Sequence, residues 1–233
     1  MPITFSQARA SIDQLVKHFK TNLNLYRAPT YKEASARQEF IDKMFVYLGW
    51  DVYNEERTAP QYRDVEVEPS QDVEGEKKAP DYVFRIGKEM KFFVEAKKPG
   101  VSIKTDAKPA YQVRRYAWSA KLPLSLLTDF EELSVYDCRS RPSIDDQASV
   151  ARINFFTFDQ YPDRWREIWD VFSREAVRGG SFDQYIDQAK GKRGTATVDA
   201  EFLKEIEGWR ETLAHNLALR NPKLSIDELN DAV

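Results

Sequence analysis

The sequence predicts an α/β protein, a mixed β-sheet flanked by helices, followed by a helical C-terminal segment. Three observations carry this reading. Amphipathic helical stripes open the chain and return after the strands. Two aromatic and β-branched runs, 79–86 and 91–98, form a hairpin, and the run 122–127 is almost wholly apolar, as in a strand buried on both faces. The 233 residues suffice for one large domain, or one domain and an appendage. A hydrophobic content of 42% with 31% charged residues is that of an ordinary soluble globular chain. No apolar run approaches the roughly 20 residues that span a bilayer. The start, Met1-Pro-Ile-Thr-Phe-Ser-Gln, lacks the basic and apolar regions of a secretion signal. The single cysteine, Cys138, excludes an internal disulfide and a cysteine-based zinc site. A cytoplasmic location without membrane association is expected.

In chain order, Phe5, Ala8, Ile12, Leu15, Val16 and Phe19 recur at helical spacing and predict a first helix over 5–20. Residues 23–30, with Asn, Pro and Thr, read as a loop. A second helix is expected over 31–48, with Phe40, Ile41, Met44, Phe45 and Leu48 as its stripe and Gly49 ending it. Residues 50–53 form a candidate strand. The polar, acidic stretch 54–78, with Pro60 and Pro69, reads as a long loop or flap, and a connection of that length is usually functional or mobile. It could lie over a substrate, or its carboxylates could shield an empty site.

After the hairpin, Pro99-Gly100 turns the chain, and a helix is expected over 106–121 with Pro109 in its first turn. Strands follow at 122–127, 133–138 and 152–158. Asp159-Gln-Tyr-Pro162 breaks the pattern, and Asp163 is expected to cap a helix carrying Trp165, Ile168, Trp169 and Phe172, a spacing that marks core. Glycines at 179–180 and the stretch 189–194 read as linker. A helix over 199–219 and a capping box at Ser225-Ile-Asp-Glu228 complete the chain.

The hairpin holds the chemistry. With a turn centred on Lys88, Tyr82 falls opposite Val94, Phe84 opposite Phe92, and Asp81 opposite Glu95. The strand period places Tyr82, Phe84, Ile86, Phe92, Val94 and Ala96 on one apolar face, and Asp81, Arg85, Lys91, Glu95 and Lys97 on the other. Like charges directly opposed are destabilising. A bound divalent cation accounts for such a pair, because hard cations take carboxylate oxygens. A solvated face of mixed charge accounts for it equally. The net charge of −3 is not the basic footprint of a dedicated DNA-binding protein. Its distribution is uneven: between Arg85 and Lys121 stand ten basic residues against three acidic ones, an excess that would draw a polyanion to the hairpin. Lys98, Lys104, Arg114, Arg115 and Tyr116 are the candidate contacts to such a polyanion.

Pro80-Asp81, thirteen intervening residues and Glu95-Ala96-Lys97 resemble the PD-(D/E)xK nuclease signature, and Gln112-Val-Arg-Arg-Tyr116 resembles the Q-x-x-x-Y element of several branches of that superfamily. More closely, residues 36–180 are similar to the N-terminal endonuclease region of type IIG restriction–modification enzymes. The matching stretches include Arg37-Gln-Glu-Phe-Ile, Leu48-Gly-Trp-Asp-Val, Phe92-Phe-Val-Glu-Ala-Lys-Lys and Arg115-Tyr-Ala-Trp-Ser-Ala-Lys-Leu-Pro. Thr128-Asp-Phe-Glu-Glu and Ser173-Arg-Glu-Ala-Val belong with them. The resemblance implies a PD-(D/E)xK restriction-endonuclease-like core over 1–178, a linker over 179–198, and at 199–233 the start of a connector towards a methyltransferase. No Asn-Pro-Pro-aromatic or Gly-rich cofactor motif of such a methyltransferase occurs in the 233 residues. It further implies hydrolysis of DNA phosphodiesters with Mg²⁺, or Mn²⁺ in its place, held by Asp81, Glu95 and the backbone carbonyl of Ala96. Lys97 would orient the attacking water or offset phosphate charge. DNA would then be the polyanion that Lys98, Lys104, Arg114, Arg115 and Tyr116 contact.

Glu39, from the second helix, and Gln112 are further candidates. Each also reads as an ordinary helix-surface residue, and Tyr116 as a packed one. S-adenosylmethionine would belong to a downstream region. Double-stranded DNA, an adenine methyltransferase with its target-recognition region, and a second copy on DNA are the expected partners, the last because one centre cuts one strand. A nuclease fold that binds DNA without cutting, or that serves as a methyltransferase-interaction module, is the alternative.

Overall fold

The computed structural model describes residues 3–68, 72–73, 76–77, 79–182 and 184–185. Helix α1 (Phe5–Thr21) opens with a capping box in which Thr4 and Gln7 satisfy each other's backbone N–H groups. Its buried stripe is Ala8, Ile12, Leu15, Val16 and Phe19, as the spacing predicts. The Phe19 ring is enclosed by Tyr26, Phe40, Phe130 and Phe158 at centroid distances of 5.0–5.3 Å. Residues 23–30 were expected as loop, yet they begin with a one-turn helix, α2 (Leu23–Tyr26). Packing decides this: the Tyr26 ring stacks on Phe19 and its hydroxyl lies 2.9 Å from His18 Nε2.

The helix expected over 31–48 is present in three parts: α3 (Glu33–Ala36), a π-helical turn Arg37–Ile41, and α4 (Asp42–Tyr47). Such turns inside α-helices are frequent at functional sites. Here Phe40, Ile41, Met44 and Phe45 are buried, while Glu33 and Arg37 reach the ends of the sheet strands. Gly49 follows with φ +87°, a left-handed conformation suited to glycine.

Two expectations are corrected in the next stretch. Residues 50–53 form a turn rather than a strand, because Trp50 donates its indole N–H to Phe172 O at 2.8 Å and the Asp51 carboxylate accepts from the N–H groups of Glu55 and Glu56. Nor is 54–78 structureless. It carries a 3₁₀ turn Pro60–Tyr62, strand β1 (Val65–Val67), and a small hairpin of β2 (Asp72–Val73) and β3 (Glu76–Lys77). Val65 is buried and β1 pairs antiparallel with β4 (Tyr82–Ile86), so the acidic stretch supplies an edge strand.

β4 continues into β5 (Glu89–Ala96). The register is Tyr82↔Val94 and Phe84↔Phe92, as expected, but an irregularity after Phe84 shifts it to Arg85↔Met90 and Ile86↔Glu89. The turn therefore closes on Gly87-Lys88, with Gly87 at φ +61°, and Glu89 joins the strand. Helix α5 (Ala107–Ser119), capped by Asp106, crosses from β5 to β6 (Leu124–Thr128), the parallel pair that requires such a connection. β7 (Glu132–Asp137) and β8 (Arg152–Thr157) complete an otherwise antiparallel sheet of order β1-β4-β5-β6-β7-β8.

The sheet is covered on both faces. Tyr82, Phe84, Phe92, Val94, Ala96, Leu124 and Leu126 meet α1, α4 and α6 (Tyr161–Phe172) in one core. Val83, Phe93, Leu127 and Tyr136 meet Ala110, Val113 and Ala117 of α5 in a second, with Cys138 beside Ser125. The fully buried β6 confirms the two-sided reading of 122–127. In α6 the buried residues are Tyr161, Trp165, Ile168 and Phe172. Pro162 enters its first turn, so Asp163 lies inside the helix rather than capping it; Thr157 and Gln160 close the preceding 3₁₀ turn instead. After α7 (Arg174–Arg178), Phe182 and Tyr185 still pack on the core, Phe182 against Phe92 at 5.6 Å. The rest of the expected linker and the helical segment 199–233 lie outside the described residues.

Candidate functional site

The hairpin and the crossover helix bring four of the expected residues together where β5 and β6 end. Asp81 stands just before β4. Its Oδ2 accepts the Ala96 N–H at 2.7 Å and its Oδ1 accepts Arg37 Nη1 at 3.2 Å. Glu95 points to the α5 side of the sheet, its side chain 3% exposed. Its Oε1 accepts from Lys97 Nζ and from Gln112 Nε2, each at 2.7 Å. The Glu95 Oε2 is buried without a hydrogen-bond partner. Lys97 Nζ also donates to Ala96 O at 2.9 Å and lies 3.9 Å from Glu33 Oε2. The Lys97 N–H donates to Thr128 O at 2.9 Å, which carries the β5–β6 pairing one step past the strand and fixes the lysine backbone.

Burial of Glu95 excludes a solvated face of mixed charge at this end of the hairpin. Removal from water, reinforced by the Asp81 carboxylate, pushes the Glu95 carboxyl up to about 7 against the pull of Lys97. Burial works against the Lys97 ammonium, but Glu95, Glu33 and Asp81 outweigh it and hold Lys97 above its ordinary range. Burial also raises Glu33, opposed first by Lys97. Three carboxylates, Asp81, Glu95 and Glu33, thus meet two cations, Lys97 and Arg37.

A hard divalent ion fits this donor set. Mg²⁺ is commonly held by one or two carboxylates plus water, and Asp81, Glu95 and the Ala96 carbonyl offer oxygen ligands. The partnerless Glu95 Oε2 is the observation that favours such an ion: a buried acceptor left unpaired costs free energy that a cation would recover. Among the described residues no cluster of three or more His, Cys, Asp or Glu is arranged to hold a metal, so this donor set rests on two carboxylates and a carbonyl.

The other candidates are distributed differently. No hydrogen bond or ion pair joins Glu39 to Asp81, Glu95 or Lys97; its charge acts on Tyr26 and Tyr31. The carboxylate that helix brings to the site is Glu33, six residues earlier, and Arg37 comes with it. The i, i+4 spacing of Glu33 and Arg37 was available in the sequence; the π turn that sets the helix's phase was not. Of the candidate DNA contacts, Arg114 and Tyr116 are buried. Arg114 is 2% exposed and paired with Asp146 at 2.8 Å, and Tyr116 is 3% exposed in the α5 core. Arg115 lines a cleft of about 570 Å³ with Lys108, Tyr111 and Gln112, next to the site. Lys98 Nζ donates to Pro29 O at 3.1 Å, and the exposed Lys104 lies over the Phe155 ring. A larger cavity of about 770 Å³, between the Trp50 turn and α7, contains none of these residues.

A six-stranded mixed sheet flanked by helices, with its polar cluster at the strand ends, is compatible with a restriction-endonuclease-like fold. Comparison with known proteins is more particular. Over 224 residues, 95% of this chain, the sequence is 38% identical to the type II restriction enzyme and methyltransferase RM.Eco57I of Escherichia coli. The chain spans 22% of that relative's length. It is therefore related to a region of a type II restriction–modification enzyme. No family model matches the chain, and no solved structure matches it. No helix among the described residues is long and apolar enough to cross a membrane.

Proposed function

We propose that this chain is the Mg²⁺-dependent DNA endonuclease region of a cytoplasmic type IIG restriction–modification enzyme, with a PD-(D/E)xK core over 1–178 and residues 199–233 leading towards a methyltransferase. The observation that carries the reading is the cluster Asp81, Glu95, Lys97 and Gln112 at the ends of β4 and β5, in a relative of a restriction enzyme. Asp81, Glu95 and the Ala96 carbonyl would hold the metal. When bound, Mg²⁺ supplies Lewis-acid polarisation of a phosphoryl oxygen and lowers the pKa of water.

The chain's own groups do the positioning. The Ala96 N–H fixes one Asp81 oxygen, and Gln112 fixes Glu95 Oε1. Lys97, a compact point charge tethered by Glu95 and Ala96 O, is placed to orient water or to offset charge on the pentavalent phosphate. Double-stranded DNA is the substrate. Target recognition and S-adenosylmethionine belong to a downstream or separate part, and a double-strand break calls for two copies on DNA. Purified Asp81→Ala, Glu95→Ala and Lys97→Ala proteins test the assignment: each should keep its circular dichroism and lose cleavage, and full activity in any of them refutes the site.

A further inference from the structure

Among the described residues Arg37 is bonded to two acidic side chains. Its Nη1 donates to Asp81 Oδ1, and its Nη2 is ion-paired with Glu68. The guanidinium side chain is 17% exposed, whereas that of Glu68 is 65% exposed, so the pair joins a sheltered cation to an anion that solvent can reach. Glu68 follows β1 with φ +50°, a left-handed conformation that a residue with a Cβ adopts only at a cost. Its N–H donates to Asp81 O at 2.8 Å, which seats it across from Asp81. Strained backbone of this kind concentrates at functional sites. The π turn that begins at Arg37 is a second local departure from regular structure at the same point.

A guanidinium fork accepts carboxylate and phosphate in the same geometry. Arg37 already touches one proposed metal ligand, and the carboxylate on its other side is exposed. We propose that Arg37 is a phosphate-binding residue for the DNA strand, and that Glu68 is an internal stand-in for that phosphate, displaced when DNA arrives. The proposal rests on the nuclease reading above and adds to it a binding group and a competitor from the acidic stretch. It also answers whether that stretch covers the substrate or shields the site: at Glu68 it shields.

The test is binding of a fluorescent DNA duplex to the 233-residue chain, followed by anisotropy in EDTA over a range of salt. Glu68→Gln removes the competing charge from an exposed position and should tighten binding by roughly two- to fivefold, the scale of a partly exposed ion pair. Arg37→Gln should weaken binding and reduce the slope of log K against log salt by about 0.9, one phosphate contact. In the Arg37→Gln background, Glu68→Gln should give no further gain. Unchanged or weaker binding by Glu68→Gln overturns the proposal. So does a gain that persists without Arg37, which is general loss of negative charge. If the parent protein binds and cuts DNA while these variants behave alike, this inference alone fails. If no variant binds or cuts DNA, the nuclease reading fails with it. Because Glu68 is exposed, its arm of the test does not depend on whether Arg37→Gln folds.

Discussion

Glu95→Gln should stabilise the metal-free protein above neutral pH. Glu95 sits where a carboxylate is hardest to keep charged, beside Asp81 and nearly out of water, and its pKa rises from the ordinary 4.5 to about 7. Between those values the folded protein holds a proton that the unfolded chain has released. Stability therefore falls as pH rises through that window, and above pH 7 the deficit is complete. At 1.36 kcal/mol per pKa unit it amounts to about 3 kcal/mol. Glutamine is neutral like the protonated acid and can still accept from Lys97 and occupy the place beside Gln112. The two proteins should thus be about equally stable near pH 4.5, with the variant ahead by about 3 kcal/mol at pH 8. For a domain of this size that is roughly 6–12 °C in Tm. Urea denaturation in EDTA across this pH range reads the difference. Mg²⁺ at pH 8 should recover stability in the parent protein and not in the variant, because a ligand stabilises the form that binds it. Parallel pH profiles would refute the reasoning, since they would mean that Glu95 is not the strained charge of the site.

Further outcomes follow from neighbouring contacts. Gln112→Ala removes a hydrogen bond to the Glu95 carboxylate and should slow cleavage by about tenfold or more, the worth of one bond to a charged group, in a single-turnover assay. Asp146→Ala leaves the buried Arg114 guanidinium without its carboxylate and should cost about 3 kcal/mol in urea melts, with no selective loss of DNA affinity. Tyr82→Phe strips Asp42 of a 2.6 Å hydrogen bond in a buried setting and should cost about 1–3 kcal/mol by the same measurement.

What could be read in the sequence followed from periods and charges. The stripe of α1, the two-faced apolar run of β6 and the pairing of Tyr82 with Val94 are direct consequences of helical and strand geometry, and each stands as expected. The nearness of Glu95 and Lys97 followed from their i, i+2 spacing, whereas Gln112 was pointed to by the family resemblance alone. The failures occurred where tertiary contact overrides local pattern. One edge strand came out of an acidic stretch because Val65 is buried and β4 had a free side; Trp50 closed a turn by reaching Phe172; and Arg114 found Asp146 in a distant loop rather than solvent. That the carboxylate this helix brings beside Lys97 is Glu33 could not be read from the sequence, for a subtler reason. A π turn changes the phase of a helix, and apolar spacing on its buried side does not reveal it.

The central claim, that two carboxylates and an ammonium at the ends of β4 and β5 cut DNA with the help of a divalent cation, is tested most directly by supercoiled plasmid. The purified chain is incubated with Mg²⁺, Mn²⁺ or EDTA, beside the Lys97→Ala protein at equal concentration. Nicked or linear plasmid should form with either metal, none with EDTA, and none with Lys97→Ala. Cutting that survives EDTA, or that Lys97→Ala performs as fast as the parent, would contradict the account.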